Sequence, residues 1–312
     1  MASTQAENQS TGDTLDKAAR ENFPVAPSFL PAAWRDDLMA VYGFARLVDD
    51  AGDGDLADPA DTARLLGAPA RSAQPDETAF RLGLLSGLER DLDRAFEAAR
   101  PGGGAAPGPG HPLMRSLVPL VGRHALTPEP FRRLIEANRV DQTTTRYRTF
   151  EDLVGYCTLS ADPVGRLVLA IADVSTDERV RLSDAVCSGL QVVEHLQDVA
   201  EDLARGRIYL PTEDLERFGV TEADLAEPVA ARRVRELIAF EAARARTLLD
   251  RGAPLVGTVR GRLRLLLAGF TAGGYAALAA IEAAGYDVLA QQPKPDKRRL
   301  ALKAAAIFAK GR

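Results

Sequence analysis

Between residues 36 and 50 the apolar side chains Leu38, Met39, Val41, Tyr42, Ala45, Leu47 and Val48 recur three and four positions apart. That spacing lays a stripe along one face of an α-helix. The same period returns over about 80–99, 130–141, 150–157, 163–174, 177–205, 231–249 and 260–284. Residues 297–310 have the pattern of a short, basic amphipathic helix. Alternation of β-branched residues over a strand length is almost absent, while alanine, leucine and arginine, all strong helix formers, dominate. The pattern predicts an all-α chain of eight to twelve helices around a central cavity.

Three segments interrupt the period. Residues 52–75 are rich in Asp, Ala and Pro; 101–112 (PGGGAAPGPGHP) have the composition of a flexible loop; 206–228 hold proline and several turn formers. None separates parts of different composition, and no repeat of 20–50 residues is present. One catalytic domain over 19–290 is expected, with a disordered tail at 1–18 and a basic segment at 291–312. The opening MASTQAENQSTGDT has neither a basic nor an apolar stretch, so it does not resemble a signal peptide. Residues 265–281 carry no charge. They fall short of the roughly 20 residues a spanning helix needs, and Gly269, Gly273 and Gly274 dilute them, so a buried core helix is expected.

Composition narrows the chemistry. With 46% hydrophobic residues in 312, the chain can bury a large core. A net charge of −5 with no long block of one sign argues against a nucleic-acid partner. Cys157 and Cys187 both lie in apolar segments, which suggests two buried thiols in a reducing cytoplasm rather than a disulfide.

The residues that stand out are carboxylates in two groups about 150 positions apart: Asp49, Asp50 and Asp53 in RLVDDAGD, and Asp198, Glu201 and Asp202 in LQDVAEDLARGRIYLP. Asp49/Asp53 and Asp198/Asp202 are each four apart, so on a helix they share a face and repel. A hard divalent cation relieves that repulsion. Mg²⁺ takes one or two carboxylates and leaves its other positions to water and phosphate, and Mn²⁺ is the alternative. One such pair alone is more often a solvated face. Two pairs, each ending an apolar helix and each with arginines nearby (Arg46; Arg205 and Arg207), suggest a metal-assisted diphosphate site. A calcium-binding EF-hand fails, because aligning Gly54 puts Ala51 and Ala60 at ligand positions.

Other chemistries have little support. His111, His124 and His195 are too scattered for zinc. His195 adjoins the second group but is expected on a helix surface. The glycines at 102–104, 108 and 110 follow no strand, and no phosphate-binding GxxxxGK[ST] occurs.

The strings AVYGFARLVDDAGD, YCTLSADPVG and GLQVVEHLQDVAEDLARGRIYLP resemble, in order and spacing, the three signature regions of the squalene/phytoene synthase family. The likeness runs from about residue 21 to 286. It implies an isoprenoid-synthase helical bundle in which aspartate-rich helices face each other across an apolar cavity. By resemblance, Asp49, Asp53, Asp198 and Asp202 match metal-binding aspartates, and Glu201 is their acidic neighbour. Tyr42 and Arg46 match groups that contact substrate or diphosphate. Gln191 and Tyr209 match polar residues on the second-motif side, and Tyr156, Val164 and Gly165 match the helix whose break widens the cavity. Arg207 and Glu194 join the substrate-binding candidates.

ENFPVA, ADPVGRLVL and Gln197 look like the hydroxysqualene synthase subgroup of hopanoid pathways. There are departures. Many members have asparagine where this chain has Glu194 and arginine where it has Gln197, so the second motif gains an acid and loses a cation. The resemblance implies ionisation of presqualene diphosphate and capture of the cation by one water. Gln191, Glu194 and Gln197, three apart, are expected to share a face and hold that water. NADPH is not expected. The runner-up is head-to-head joining of two prenyl diphosphates; a non-catalytic relative would have lost the aspartates. Sister enzymes of the squalene pathway are candidate partners, and residues 294–310 are a candidate for peripheral contact with the inner membrane face.

Overall fold

The computed structural model describes residues 25–69, 76–102, 107–295 and 297–310; the expected tail at 1–18 lies outside them. The described residues are helical, with no β-strand; one isolated parallel bridge joins Arg146 and Ile208. In chain order the helices are α1 (Ala32–Asp53), α2 (Pro59–Leu66), α3 (Glu77–Ala98), α4 (Pro112–Arg115), α5 (Leu117–Arg123), α6 (Glu129–Val140), α7 (Phe150–Ser160), α8 (Asp162–Ile171), α9 (Asp177–Gln197), α10 (Val199–Ala204), α11 (Thr212–Phe218), α12 (Glu222–Leu225), α13 (Arg232–Gly252), α14 (Leu255–Thr258), α15 (Gly261–Ala283) and α16 (Lys297–Lys310). The chain forms two compact units. The first is Met1–Thr143 with Leu167–Asp173, and the second is Thr144–Arg166 with Val174–Arg312.

Three of the short helices, α2, α11 and α12, occupy segments that looked irregular. α2 starts on Asp58, whose carboxylate accepts the Asp61 N–H, with Pro59 at its first position; Gly67 closes it at φ +60°. α12 carries a reciprocal capping box between Thr221 and Asp224. Each such cap contributes about 1 kcal/mol, enough to hold a helix of one or two turns that packing also supports. Thr149 with Asp152 starts α7 in the same way.

In the first unit, Phe44, Val48, Leu85, Leu88, Leu92, Phe131 and Ile135 are fully buried. Phe131 meets Phe44 edge to face at 5.1 Å. The expected flexibility of 101–112 does not extend to its end, and 103–106 lie outside the described residues. Asp91, buried in α3, accepts the N–H groups of Gly110 (2.7 Å) and His111 (2.9 Å) and pairs with Arg94, pinning the chain before α4.

The second unit is organised around α9, α13 and α15. A Cβ at Gly274 would stand 2.9 Å from both Leu190 and Leu249, so glycine lets these three helices close up. Among the described residues α15 is the one helix long and apolar enough to cross a membrane, and 67% of its apolar window is buried inside the protein. The uncharged run 265–281 is core, as its glycines suggested. α16 lies against α15, where the Arg264 guanidinium sits 4.7 Å over the Phe308 ring and donates to the Phe308 carbonyl.

Candidate active site

The first carboxylate group lies on one unbroken helix. α1 runs 22 residues to Asp53 and is closed by Gly54 at φ +81°. Asp49 and Asp53 are therefore one turn apart on the same face. Asp50 turns inward: it is buried and forms an ion pair with Arg46 at 3.1 Å, off the angle a hydrogen bond needs. Of the three expected metal ligands, Asp50 is thus committed to the interior, and Arg46, expected at the diphosphate, is paired with it. Tyr42 lies half-buried one turn earlier on α1.

Residues the sequence reading missed complete this end. Asn138 of α6 donates to Asp49 Oδ1 at 2.9 Å, and Gln142 donates to the Gly52 carbonyl at 3.0 Å. Gly52 permits this, since a Cβ there would fall 2.1 Å from Asn138 Oδ1. Beside Gly54 lies the guanidinium of Arg81, whose Nε is buried with no hydrogen-bond partner among the described residues. Asp49 has accessible surface yet is crowded by protein. Burial pushes its carboxyl up to about 6, the Asn138 bond opposes the rise, and Asp53 adds to it.

The second group straddles a break. The predicted helix over 177–205 is two helices, meeting at Asp198 with φ −105° and ψ 12°. The Asp202 N–H still donates to the Asp198 carbonyl at 2.8 Å, which preserves the one-turn relation. The break is clasped from far along the chain. The Gln292 amide donates to Asp198 Oδ1, and the Gln197 amide donates to the Pro293 carbonyl. Burial raises the Asp198 carboxyl; burial and then the Asp198 charge push Asp202 up to about 7. Glu201 is exposed and pairs with Arg205 at 3.4 Å. Arg207 donates its backbone N–H to the Asp202 carbonyl, and its charge lowers the Asp202 pKa.

An aromatic wall stands beside Asp202. His195 stacks on Tyr209 with ring centroids 3.7 Å apart; Tyr209 meets Tyr147 and Tyr156 at 5.7 Å each. This corrects the expectation that His195 lies on a helix surface. Its side chain is largely enclosed, with Nδ1 3.9 Å from Asp202 Oδ2 and the Gln191 amide 3.3 Å from Nε2. Burial drives its pKa down to about 3, so the ring is neutral. The expected trio of water-holding side chains is also divided: Gln191 is half-buried, Glu194 exposed and Gln197 buried on Pro293. The helix break near Tyr156 falls at Ala161, between α7 and α8. Val164 is exposed, while Gly165 packs where a Cβ would meet Ser183 and Cys187 of α9.

Among the described residues no three His, Cys, Asp or Glu side chains gather into a chelating group. Each motif instead offers a pair of carboxylates one turn apart, and Asp49 in the first and Asp198 and Asp202 in the second are held above their ordinary pKa. Such a pair fits Mg²⁺, which relies on phosphate and water for its remaining positions, and a bound cation would relieve the repulsion seen in both.

The profile of the squalene/phytoene synthase family matches residues 16–300. The chain belongs to this family. Squalene synthase HpnC from Alicyclobacillus acidocaldarius, a solved structure, is 40% identical; the match covers 92% of this chain and 97% of that one, with a TM-score of 0.71. Hydroxysqualene synthase of Zymomonas mobilis is 31% identical over 242 residues, covering 75% of this chain and 69% of its own length. Phytoene synthase of Arthrospira platensis is 32% identical over 248 residues, covering 74% and 71%. The chain is accordingly a squalene/phytoene-synthase-type enzyme of isoprenoid biosynthesis with the isoprenoid-synthase fold. The family match extends past residue 290, into the first turn of α16.

Proposed function

We propose that this enzyme is a hydroxysqualene synthase, converting presqualene diphosphate and water to hydroxysqualene and diphosphate. The observation that carries the reading is Gln197. At this position many members have an arginine, while here an amide is buried against the Pro293 carbonyl. A second motif with one fewer cation suits a reaction that handles one diphosphate better than one that handles two. The similarity to squalene synthase HpnC and to hydroxysqualene synthases supports the same reading.

Asp49, Asp53, Asp198 and Asp202 are the residues to hold Mg²⁺, with Mn²⁺ as a substitute. Bound there, the metal supplies Lewis-acid stabilisation of the departing diphosphate. Arg207 and Arg205 add cationic contacts at the second motif. The rings of Tyr156, Tyr209 and His195 offer π faces to the cyclopropylcarbinyl cation left behind. His195 must be uncharged for this, and its burial keeps it so at neutral pH. The Gln191 amide beside it is placed to orient the water. The proton lost on capture goes to the released diphosphate, so no side-chain base is required and NADPH plays no part.

Presqualene diphosphate must come from a sister enzyme that joins two farnesyl groups. Cys157 and Cys187 are free thiols, which suits the cytoplasm. The second reading, head-to-head coupling, draws on the phytoene synthase relatives. Parallel incubations with presqualene diphosphate alone and with farnesyl diphosphate alone separate the two. An alcohol from the first and nothing from the second is expected; coupling of farnesyl diphosphate would replace this proposal with the second.

A further inference from the structure

The chain is acidic overall, at −5, yet residues 294–312 hold seven basic side chains against one acid, Asp296. Such an inversion of sign at one end has no part in the chemistry above.

α16, within this segment, has its inner side committed. Leu300, Ala304, Ile307 and Phe308 are its less exposed described positions; Phe308 lies under Arg264, and Lys303 stands 4.7 Å over the Tyr275 ring. Its outer side is open. Ala301, Leu302, Ala305, Ala306 and Ala309 are exposed, Leu302 at 73%. The Arg264–Phe308 contact brings the start of α15 beside the end of α16. There Arg260, Arg262 and Leu265 are exposed as well, Leu265 at 41%. Two of the five large apolar side chains exposed among the described residues lie on this helix pair. No acidic residue occurs in α16, nor in α15 before Glu282.

We propose that the first turns of α15 and the outer side of α16 form a docking surface for a bilayer bearing anionic headgroups. The charge complementarity is direct: a dense cationic segment on a negative protein gives the molecule an electrostatic polarity that orients it toward an anionic sheet. The mixture is also apt. Leu265, Leu302 and the exposed alanines enter the headgroup boundary while the stems of Arg260 and Arg262 lie along it and keep their charges in water. A soluble polyanion or an acidic protein would satisfy the charges and leave Leu265 and Leu302 without use. The surface needs no part of the proposed reaction, so the two stand or fall separately.

The test is flotation of the full-length protein with vesicles of phosphatidylcholine alone and of phosphatidylcholine mixed with phosphatidylglycerol. Binding is expected to the mixed vesicles only, and to fall in high salt. Leu265→Ser with Leu302→Ser should lower the bound fraction several-fold, and Arg260→Glu with Arg262→Glu at least as much. All four side chains are exposed, so helix content and thermal melting should be unchanged, and the charge pair serves if the leucine pair melts early. Equal binding to neutral vesicles, or binding that neither pair alters, would overturn the proposal. Retention on heparin that depends on the arginines but not the leucines, without vesicle binding, would overturn it in favour of a soluble polyanionic partner.

Discussion

The two carboxylate motifs solve one problem in different ways. At the first, an intact helix supplies the spacing, and a neighbouring helix steadies Asp49 through Asn138 while Asp50 is drawn inside by Arg46. At the second, the helix breaks at Asp198, a segment some 94 residues onward holds that carboxylate through Gln292, and a wall of rings stands alongside. Polar surroundings mark the first motif and aromatic ones the second. The difference teaches that a common spacing of aspartates does not imply a common duty. Under the proposed function the first motif serves as a carboxylate clamp, and the second joins carboxylates to a surface suited to a carbocation.

The hardest blow to this comparison is removal of a carboxylate from either side. Asp49→Asn and Asp198→Asn should each lower turnover at least about 100-fold, the scale seen when one stabilising group of a transition state is lost. Helix content measured by circular dichroism should stay constant, since both residues have accessible surface. If either variant keeps near-full activity, its motif is not a clamp.

Within the first motif, Asp50 and Asp53 should part company. Asp50→Asn removes the charge that faces Arg46 inside the protein and should cost about 1–3 kcal/mol of stability in urea unfolding. Asp53→Asn should leave stability nearly unchanged and weaken Mn²⁺ binding seen by electron paramagnetic resonance. The reverse pattern would mean that Asp50 is the ligand.

Proton competition offers a smaller effect common to both sites. Without metal, Asp202 is raised to about 7 and Asp49 to about 6. Each folded-state proton is held above the pH at which the unfolded chain releases it, so these groups favour folding at low pH and lose that contribution as pH rises through 6 and 7. A cation must displace the same protons. Mg²⁺ should therefore raise the melting temperature more at pH ~8 than at pH ~5.5, where proton competition lowers its affinity. An equal rise at both pH values would contradict the raised values. Smallest of all, Asn138→Ala should weaken Mn²⁺ binding by roughly 3–10-fold, the net worth of one ordinary hydrogen bond, and the loss should vanish in an Asp49→Asn background.

Much of this was legible in advance. Among the described residues, all nine helices of ten or more residues coincide with segments of helical period, because burying one face imposes that spacing. Of the seven shorter helices among the described residues, three lie wholly within the segments rich in turn formers, and two of those start on a side-chain cap rather than a stripe, at Asp58 and Thr221. The four aspartates stood out because repulsion at one-turn spacing asks for compensation. Their supports did not. Nothing near Asp198 signals a break, and Gln292 is an ordinary polar residue until the fold returns it to the motif. His195 was misjudged for the same reason: its burial depends on Tyr209, 14 residues later, folding back over the ring.

The central claim, that this enzyme ionises one isoprenoid diphosphate and ends the reaction with water, is tested most directly by isotope. Presqualene diphosphate as sole substrate, with Mg²⁺ in H₂¹⁸O and with or without NADPH, should yield hydroxysqualene carrying ¹⁸O in both cases. An unlabelled alcohol, or squalene formed only when NADPH is present, would contradict it.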